Sequence, residues 1–199
     1  MQEFKIIGHI DLPERKVRPE EYRELLENKM ASIGREVNEK FGCELLDDRG
    51  SILMTEQTDK NLVLQLEEKW ASEQHKTVAE WRKSKDKNPA TITEMAVTLF
   101  LHRLLSDRFI VARASTLDDY QYGVDNVLID KETGAVVCGF DEVLGFEGDD
   151  GGEKKSEKIK KSLAHGGSSL KYGATIEDGK INIITNIKTG IKKTKHKKK

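Results

Sequence analysis

Apolar residues recur along this chain with two periods, one helical and one alternating. From Arg18 to Phe41, "RPEEYRELLENKMASIGREVNEKF", the residues Tyr22, Leu25, Leu26, Met30, Ile33 and Val37 fall three or four apart, the spacing of a helix with one inward face. Pro19 suits a first helical turn, acids follow it, and Gly42 can end the helix. A second helix is expected from about Asp59 to Ser84, with Leu62, Leu66, Trp70, Val78 and Trp81 inward. Its two tryptophans lie 11 residues apart, near one helical face. They can build a core or stack on nucleobases, and a core is the simpler account. "SKDKNP" then breaks the pattern at Pro89. The segment "TITEMAVTLFLHRLLSDRF" is apolar nearly all round from Met95 to Leu105, which predicts a helix buried on several sides. Thr91 with Glu94 fits a capping box at its start.

After Arg108 the period changes. "FIVARAS" (109–115) alternates, and "GVDNVLIDKETGAVVCGFDEV" (123–143) reads as two strands joined by a tight turn. A charged helix is expected over 153–165, followed by strands "LKYGATI" and "KINIIT" around Glu177-Asp178-Gly179. The predicted order is therefore helix, three strands, helix, strand, strand: an α+β protein with an N-terminal helical extension. The expected division is a helical region over 1–87, an α/β core over 88–187 and a basic tail over 188–199.

Charge sharpens this division. The whole chain carries a net charge of −1, but "KTGIKKTKHKKK" holds seven lysines and no acid. Residues 1–187 then carry 27 basic and 35 acidic side chains, a net charge of −8. The tail suits either an arm seeking phosphate or a solubilising end. No apolar run reaches the roughly 18 residues of a membrane span, and the N-terminus lacks the apolar core of a signal peptide. Cys43 and Cys138 match no disulfide framework or metal spacing, and the five histidines show no ligand pairing. A cytoplasmic protein with no membrane partner is expected.

The hairpin holds the candidate chemistry. A three-residue loop Glu132-Thr133-Gly134, with Gly134 left-handed, sets Lys131 opposite Ala135 and makes facing positions sum to 266. Asp125 then faces Asp141, on one face with Val127, Ile129, Val137 and Val143. Facing residues have Cβ atoms about 5 Å apart, and like charges there repel. A shared proton, a nearby Lys or Arg, or a divalent cation resolves the conflict; Mg²⁺ or Mn²⁺ suits paired carboxylates. Alternatively both acids reach water at the rim of the sheet. A four-residue loop would instead set Asp125 against Phe140.

The element order and these acids resemble the core of the PD-(D/E)XK nuclease superfamily, the restriction-endonuclease-like αβββαβ fold, over residues 88–187. The stretch D-D-Y-x-x-G-V-D-N-V, Asp118 to Val127, is also similar to one in uncharacterised bacterial proteins. The resemblance implies a metal-dependent nuclease: Asp125 as the first acid, Asp141 as the acid of the D/E-x-K motif, both on Mg²⁺ or Mn²⁺, and Glu94 as the helix acid. It implies nucleic acid, DNA or RNA, as partner. The chain departs from the pattern at Val143, where the family has a lysine that positions the attacking water. Lys154, Lys155, Lys158 and Lys171 are the candidate substitutes and substrate contacts. A catalytically silent binding module is the alternative. Glu142 points to the opposite face, and Asp118 and Asp119 either join the site or shape a turn.

Overall fold

The computed structural model describes residues 18–140 and 169–188. Asp141, Glu142, Val143, the helix expected over 153–165 with Lys154, Lys155 and Lys158, and the tail beyond Lys188 lie outside them. The described elements run α1 (Pro19–Phe41), α2 (Gln57–Glu73), α3 (Val78–Asp86), α4 (Pro89–Leu105), β1 (Phe109–Arg113), a π-helical turn (Asp118–Tyr122), β2 (Asn126–Asp130), β3 (Val136–Phe140), β4 (Ser169–Glu177) and β5 (Lys180–Lys188). The α+β class holds, and among the described residues no helix is long and apolar enough to cross a membrane.

Helix α1 buries Leu26, Met30, Ile33 and Val37. Gly42, at φ 62°, ends it in the left-handed conformation. Tyr22 and Leu25, at the N-terminal end of the same stripe, stay largely exposed. Asn38 organises the following loop: its carboxamide oxygen accepts from the Leu45 and Leu46 amides, and its nitrogen donates to the Leu46 carbonyl at 2.7 Å. That loop is then stitched to the end of β1. The Arg113 amide donates to Gly50 at 2.9 Å, and the Ile52 amide donates to Arg113 at 3.0 Å.

The single helix expected over 59–84 is two helices. His75 adopts φ 53°, and Thr77 with Glu80 forms a complete capping box that starts α3 anew. The two tryptophans therefore meet across the break, ring centroids 5.6 Å apart, rather than along one helix. Two further expectations about α4 are corrected. The N-cap is Asn88, whose side chain accepts from the Ala90 amide at 2.9 Å, so Thr91 lies inside the helix and Glu94 is released from capping. The helix is also not covered on all sides: Phe100 and Leu104 are about half exposed, while Met95 and Thr98 are buried.

Strands β1, β2 and β3 form an antiparallel sheet in sequence order. The hairpin loop is one residue longer than predicted: the Asp130 amide donates to Ala135, and Gly134, at φ 71°, donates back to Asp130. A bulge restores the predicted register. Ile129 pairs with Val136, but Leu128 pairs with Cys138, so Val137 is the extra residue and turns outward, 57% exposed. Beyond it, Val127 pairs with Gly139 and Asn126 with Phe140, the predicted sum of 266.

Among the described residues, strands β4 and β5 pair only with each other, so there the fourth strand of the expected core does not extend the first sheet. Their turn is the two-residue Asp178-Gly179, both at positive φ, as a type I′ hairpin requires. The hairpin docks through β4. Leu170, Tyr172, Ala174 and Ile181 join one buried cluster with Ile33 and Val37 of α1, Val63 of α2, Ile110 of β1 and Ile129 of β2. This cluster draws on both sides of position 87.

Tyr172 anchors the hairpin to the start of α2. Its hydroxyl donates to Asp59 at 2.7 Å and accepts from the Glu56 amide at 3.1 Å, and the ring is wholly buried. Burial, with the Asp59 carboxylate, pushes the phenol up to about 12, so it stays a donor at neutral pH. Tyr172→Phe strips one donor and one acceptor from this junction, and a loss of about 1–2 kcal/mol is expected in urea unfolding. An unchanged midpoint would show that the hydroxyl anchors nothing.

Candidate functional site

The D-D-Y-x-x-G-V-D-N-V stretch builds one wall of a cleft, each polar residue with its own role. Ser115 and Asp118 bond reciprocally: the Ser115 hydroxyl donates to the carboxylate at 2.7 Å and accepts the Asp118 amide at 3.1 Å. This S-x-x-D box opens the π-helical turn, and Gly123, at φ 63°, closes it in the left-handed conformation. Asp118 is fully buried and faces inward, accepting the Lys171 amide at 2.6 Å and the Tyr172 amide at 3.2 Å. Asp119 faces the cleft and pairs with Lys85 of α3 at 3.1 Å. Of the two consecutive acids, then, Asp118 is structural and Asp119 belongs to the site.

Tyr120 closes an aromatic cluster. Its ring lies edge-on to Trp70 at 4.9 Å and to Trp81 at 6.3 Å, with the Lys85 ammonium 4.1 Å from the ring centroid. Its hydroxyl donates to Glu67 at 3.0 Å, while Arg82 pairs with the same carboxylate. Burial first, then the Glu67 charge, push the phenol far above its ordinary value and keep it a donor. The tryptophans thus pack edge-on against this tyrosine and tilted against each other.

Asp125 and Glu94 lie beside this wall. Asp125 immediately precedes β2 and is 6% exposed, which removes the reading of a water-exposed rim acid. Its amide donates to Phe140 at 2.8 Å, and its carbonyl accepts from Ala114 at 2.9 Å. Glu94, on α4, accepts from Arg113 at 3.1 Å. The Glu94 carboxyl is raised, first by burial and next by the Asp125 charge, against the pull of Arg113; Asp119 raises it further and Lys85 lowers it. Three carboxylates and two cations therefore share one electrostatic neighbourhood. Arg113 is the hinge of the group. Its backbone pairs with Asn126 on one side and the Gly50–Ile52 loop on the other, and its buried Nε has no hydrogen-bond partner among the described residues.

Lys85, Arg113, Asp119, Tyr120 and Asp125 line a cavity of about 400 Å³. Val63 and Glu67 of α2, Trp81 and Lys85 of α3, the loop at Asp47 and Asp48, and the Arg113, Asp119 and Asp125 group form its walls. A smaller cavity of about 230 Å³ also touches Arg113. Helices α2 and α3 thus face the end of β1 and the start of β2 across the cleft.

Of the residues singled out from sequence, Asp125 and Glu94 lie close enough for the Asp125 charge to raise the Glu94 carboxyl. Lys171 is not with them: its ammonium bonds Glu56 at 3.0 Å and lies 3.5 Å from Asp59. Asp141, Lys154, Lys155 and Lys158 fall outside the described residues. Lys85 and Arg113 were missed. Arg113 had a signal, because antiparallel pairing of β1 with β2 sets it opposite Asn126, beside Asp125. Lys85 had none, since only the packing of α3 brings it to the cleft. Among the described residues, no three His, Cys, Asp or Glu side chains converge to hold a metal ion. Glu94 and Asp125 nevertheless have the right chemistry for Mg²⁺ or Mn²⁺, which commonly use one or two carboxylates and complete their shells with water and phosphate. Comparison with protein-family models, curated proteins and solved structures finds no match.

Proposed function

We propose that this chain is a divalent-metal-dependent, nuclease-like protein that hydrolyses phosphodiester bonds in DNA or RNA, working in the cytoplasm. The support for the reading is that Asp125, which lines the cleft just before β2, lies close enough to Glu94 on α4, 31 residues earlier, for its charge to raise the Glu94 carboxyl. Asp125 stands out in the sequence as an acid among apolar strand residues, and Glu94 is the helix acid that the resemblance implies. Asp125 and Glu94, with Asp141 as expected third donor, would hold Mg²⁺ or Mn²⁺. When bound, such an ion lowers the pKa of a water ligand and polarises a phosphoryl oxygen. Arg113 fixes the Glu94 carboxylate, and the buried surroundings of Asp125 strengthen its hold on a cation.

One observation favours a second reading. Arg113 already neutralises Glu94, as a salt bridge substituting for metal would, and Val143 stands where the family carries lysine. A silent member of the fold, binding nucleic acid or a protein partner, accounts for both facts. Calorimetric titration with Mn²⁺ separates the readings. The intact protein is expected to bind, and Asp125→Asn and Asp141→Asn, each checked for folding by circular dichroism, are expected to lose that binding. A folded intact protein that binds no Mn²⁺, with or without an oligonucleotide present, leaves the silent reading.

A further inference from the structure

Resting on the nucleic-acid reading above, we propose that Lys85 of α3 contacts the phosphate of a nucleic-acid strand in the cleft, so that the helical region supplies the ammonium missing at Val143. Four observations converge on this side chain. It lines the same cavity as Asp125. It pairs with Asp119 at 3.1 Å and feels the Glu94 charge, so it belongs to the acidic group and not to the outer surface. Its ammonium stands over the Tyr120 ring, which fixes its direction while leaving N–H donors for an incoming oxygen. It is about one-third exposed, accessible yet held.

Of the other cations lining the cleft, Lys60 is exposed in the first turns of α2 and the arginines are already engaged. Arg113 is 13% exposed and bound to Glu94; Arg82 is engaged by Glu67; Arg49 leans on Asp86. Lys171 is taken up by Glu56 and Asp59. A lysine ammonium also suits the task, being a compact charge with rotatable donors that can keep Asp119 and add a phosphate oxygen.

The test uses tryptophan fluorescence. Both tryptophans of the chain lie in the aromatic cluster, so quenching by a bound base reports the cleft and not the lysine-rich tail. The full-length protein is titrated with a short oligothymidylate in Ca²⁺ at several salt concentrations, beside Lys85→Ala, Lys85→Arg and Asp119→Asn, each checked by thermal melting. Lys85→Ala is expected to bind about tenfold more weakly, the loss of one charge-assisted hydrogen bond. It should also flatten the slope of log K against log salt by about 0.7, one single-strand phosphate contact. Lys85→Arg should retain most of the affinity and the slope. Asp119→Asn, which frees the ammonium from its partner, should bind as well as the intact protein or better.

A merely structural ion pair predicts otherwise: Lys85→Ala and Asp119→Asn would weaken binding alike, with the salt slope unchanged. That result overturns the proposal, as does binding indifferent to Lys85, and in both cases the nucleic-acid reading survives. An intact protein whose fluorescence does not respond to the oligonucleotide overturns both.

Discussion

Asp118→Asn is expected to lower folding stability by about 3 kcal/mol, nearly as much as Asp118→Ala. The side chain is fully buried and both its oxygens are acceptors: one takes the Lys171 amide, the other the Tyr172 amide and the Ser115 hydroxyl. An asparagine keeps one acceptor, but its NH₂ must then face an N–H donor. Near-isosteric replacement therefore removes a partner and adds a repulsion, which is why little should be rescued relative to alanine. The consequence is not confined to one turn. Asp118 is the acceptor through which the edge of β4 is fastened to the segment carrying Asp119, Tyr120 and Asp125. Loosening it should also disturb the cleft. Thermal melting checks the first effect, with a fall of roughly 6–12 °C expected for a chain of this size. Tryptophan emission checks the second, since Trp70 and Trp81 both pack on Tyr120. A melting point within a degree or so of the intact protein would show that the carboxylate does not hold the hairpin.

Gly134→Ala should cost a similar amount, about 2–4 kcal/mol, for two separable reasons. The residue sits at φ 71°, where a Cβ is strained, and an added methyl would lie 2.7 Å from the Thr175 Cα and against the Ile176 amide. This is where the β2–β3 turn presses on β4, with the Ile176 amide donating to Thr133 at 3.2 Å. Gly179 provides the comparison. It has nearly the same backbone, φ 74°, but nothing lies within 4 Å of its added Cβ. Gly179→Ala should therefore show the conformational cost alone, about 1 kcal/mol. The difference between the two, read from guanidinium unfolding, measures the close approach of the hairpins. Equal losses would mean that β4 gives way without cost.

The contrast between these glycines marks how far the sequence could be read. Their left-handed backbone was legible at both positions, because turn chemistry depends on a few neighbouring residues. Nothing local said that one of them touches a second hairpin. The same holds for the acids. Asp125 stood out because a charged residue interrupts an apolar strand, and Glu94 followed from the resemblance. Yet the sequence favoured a capping-box role for Glu94, which the Asn88 cap removes. Lys171 illustrates the reverse error. It has the right residue type in the right strand, but β4 carries it to Glu56 and Asp59 instead of to Asp125.

While the hairpin register at its open end came from a longer loop offset by a bulge, the sequence by itself determined the α+β composition, the apolar stripe of α1 and the positions of the described strands. These depend on backbone sterics and on periods of 3.6 and 2, which operate between near neighbours. Only the tertiary structure decided that, among the described residues, β4 and β5 stand apart from the first sheet, that Asp118 turns inward while Asp119 faces the cleft, and that Lys85 and Arg113 come to the acids there. Each of those outcomes is a choice between partners far apart in the chain. Burial and ion pairing reward a contact only after the fold has brought both sides together, so no local pattern records it.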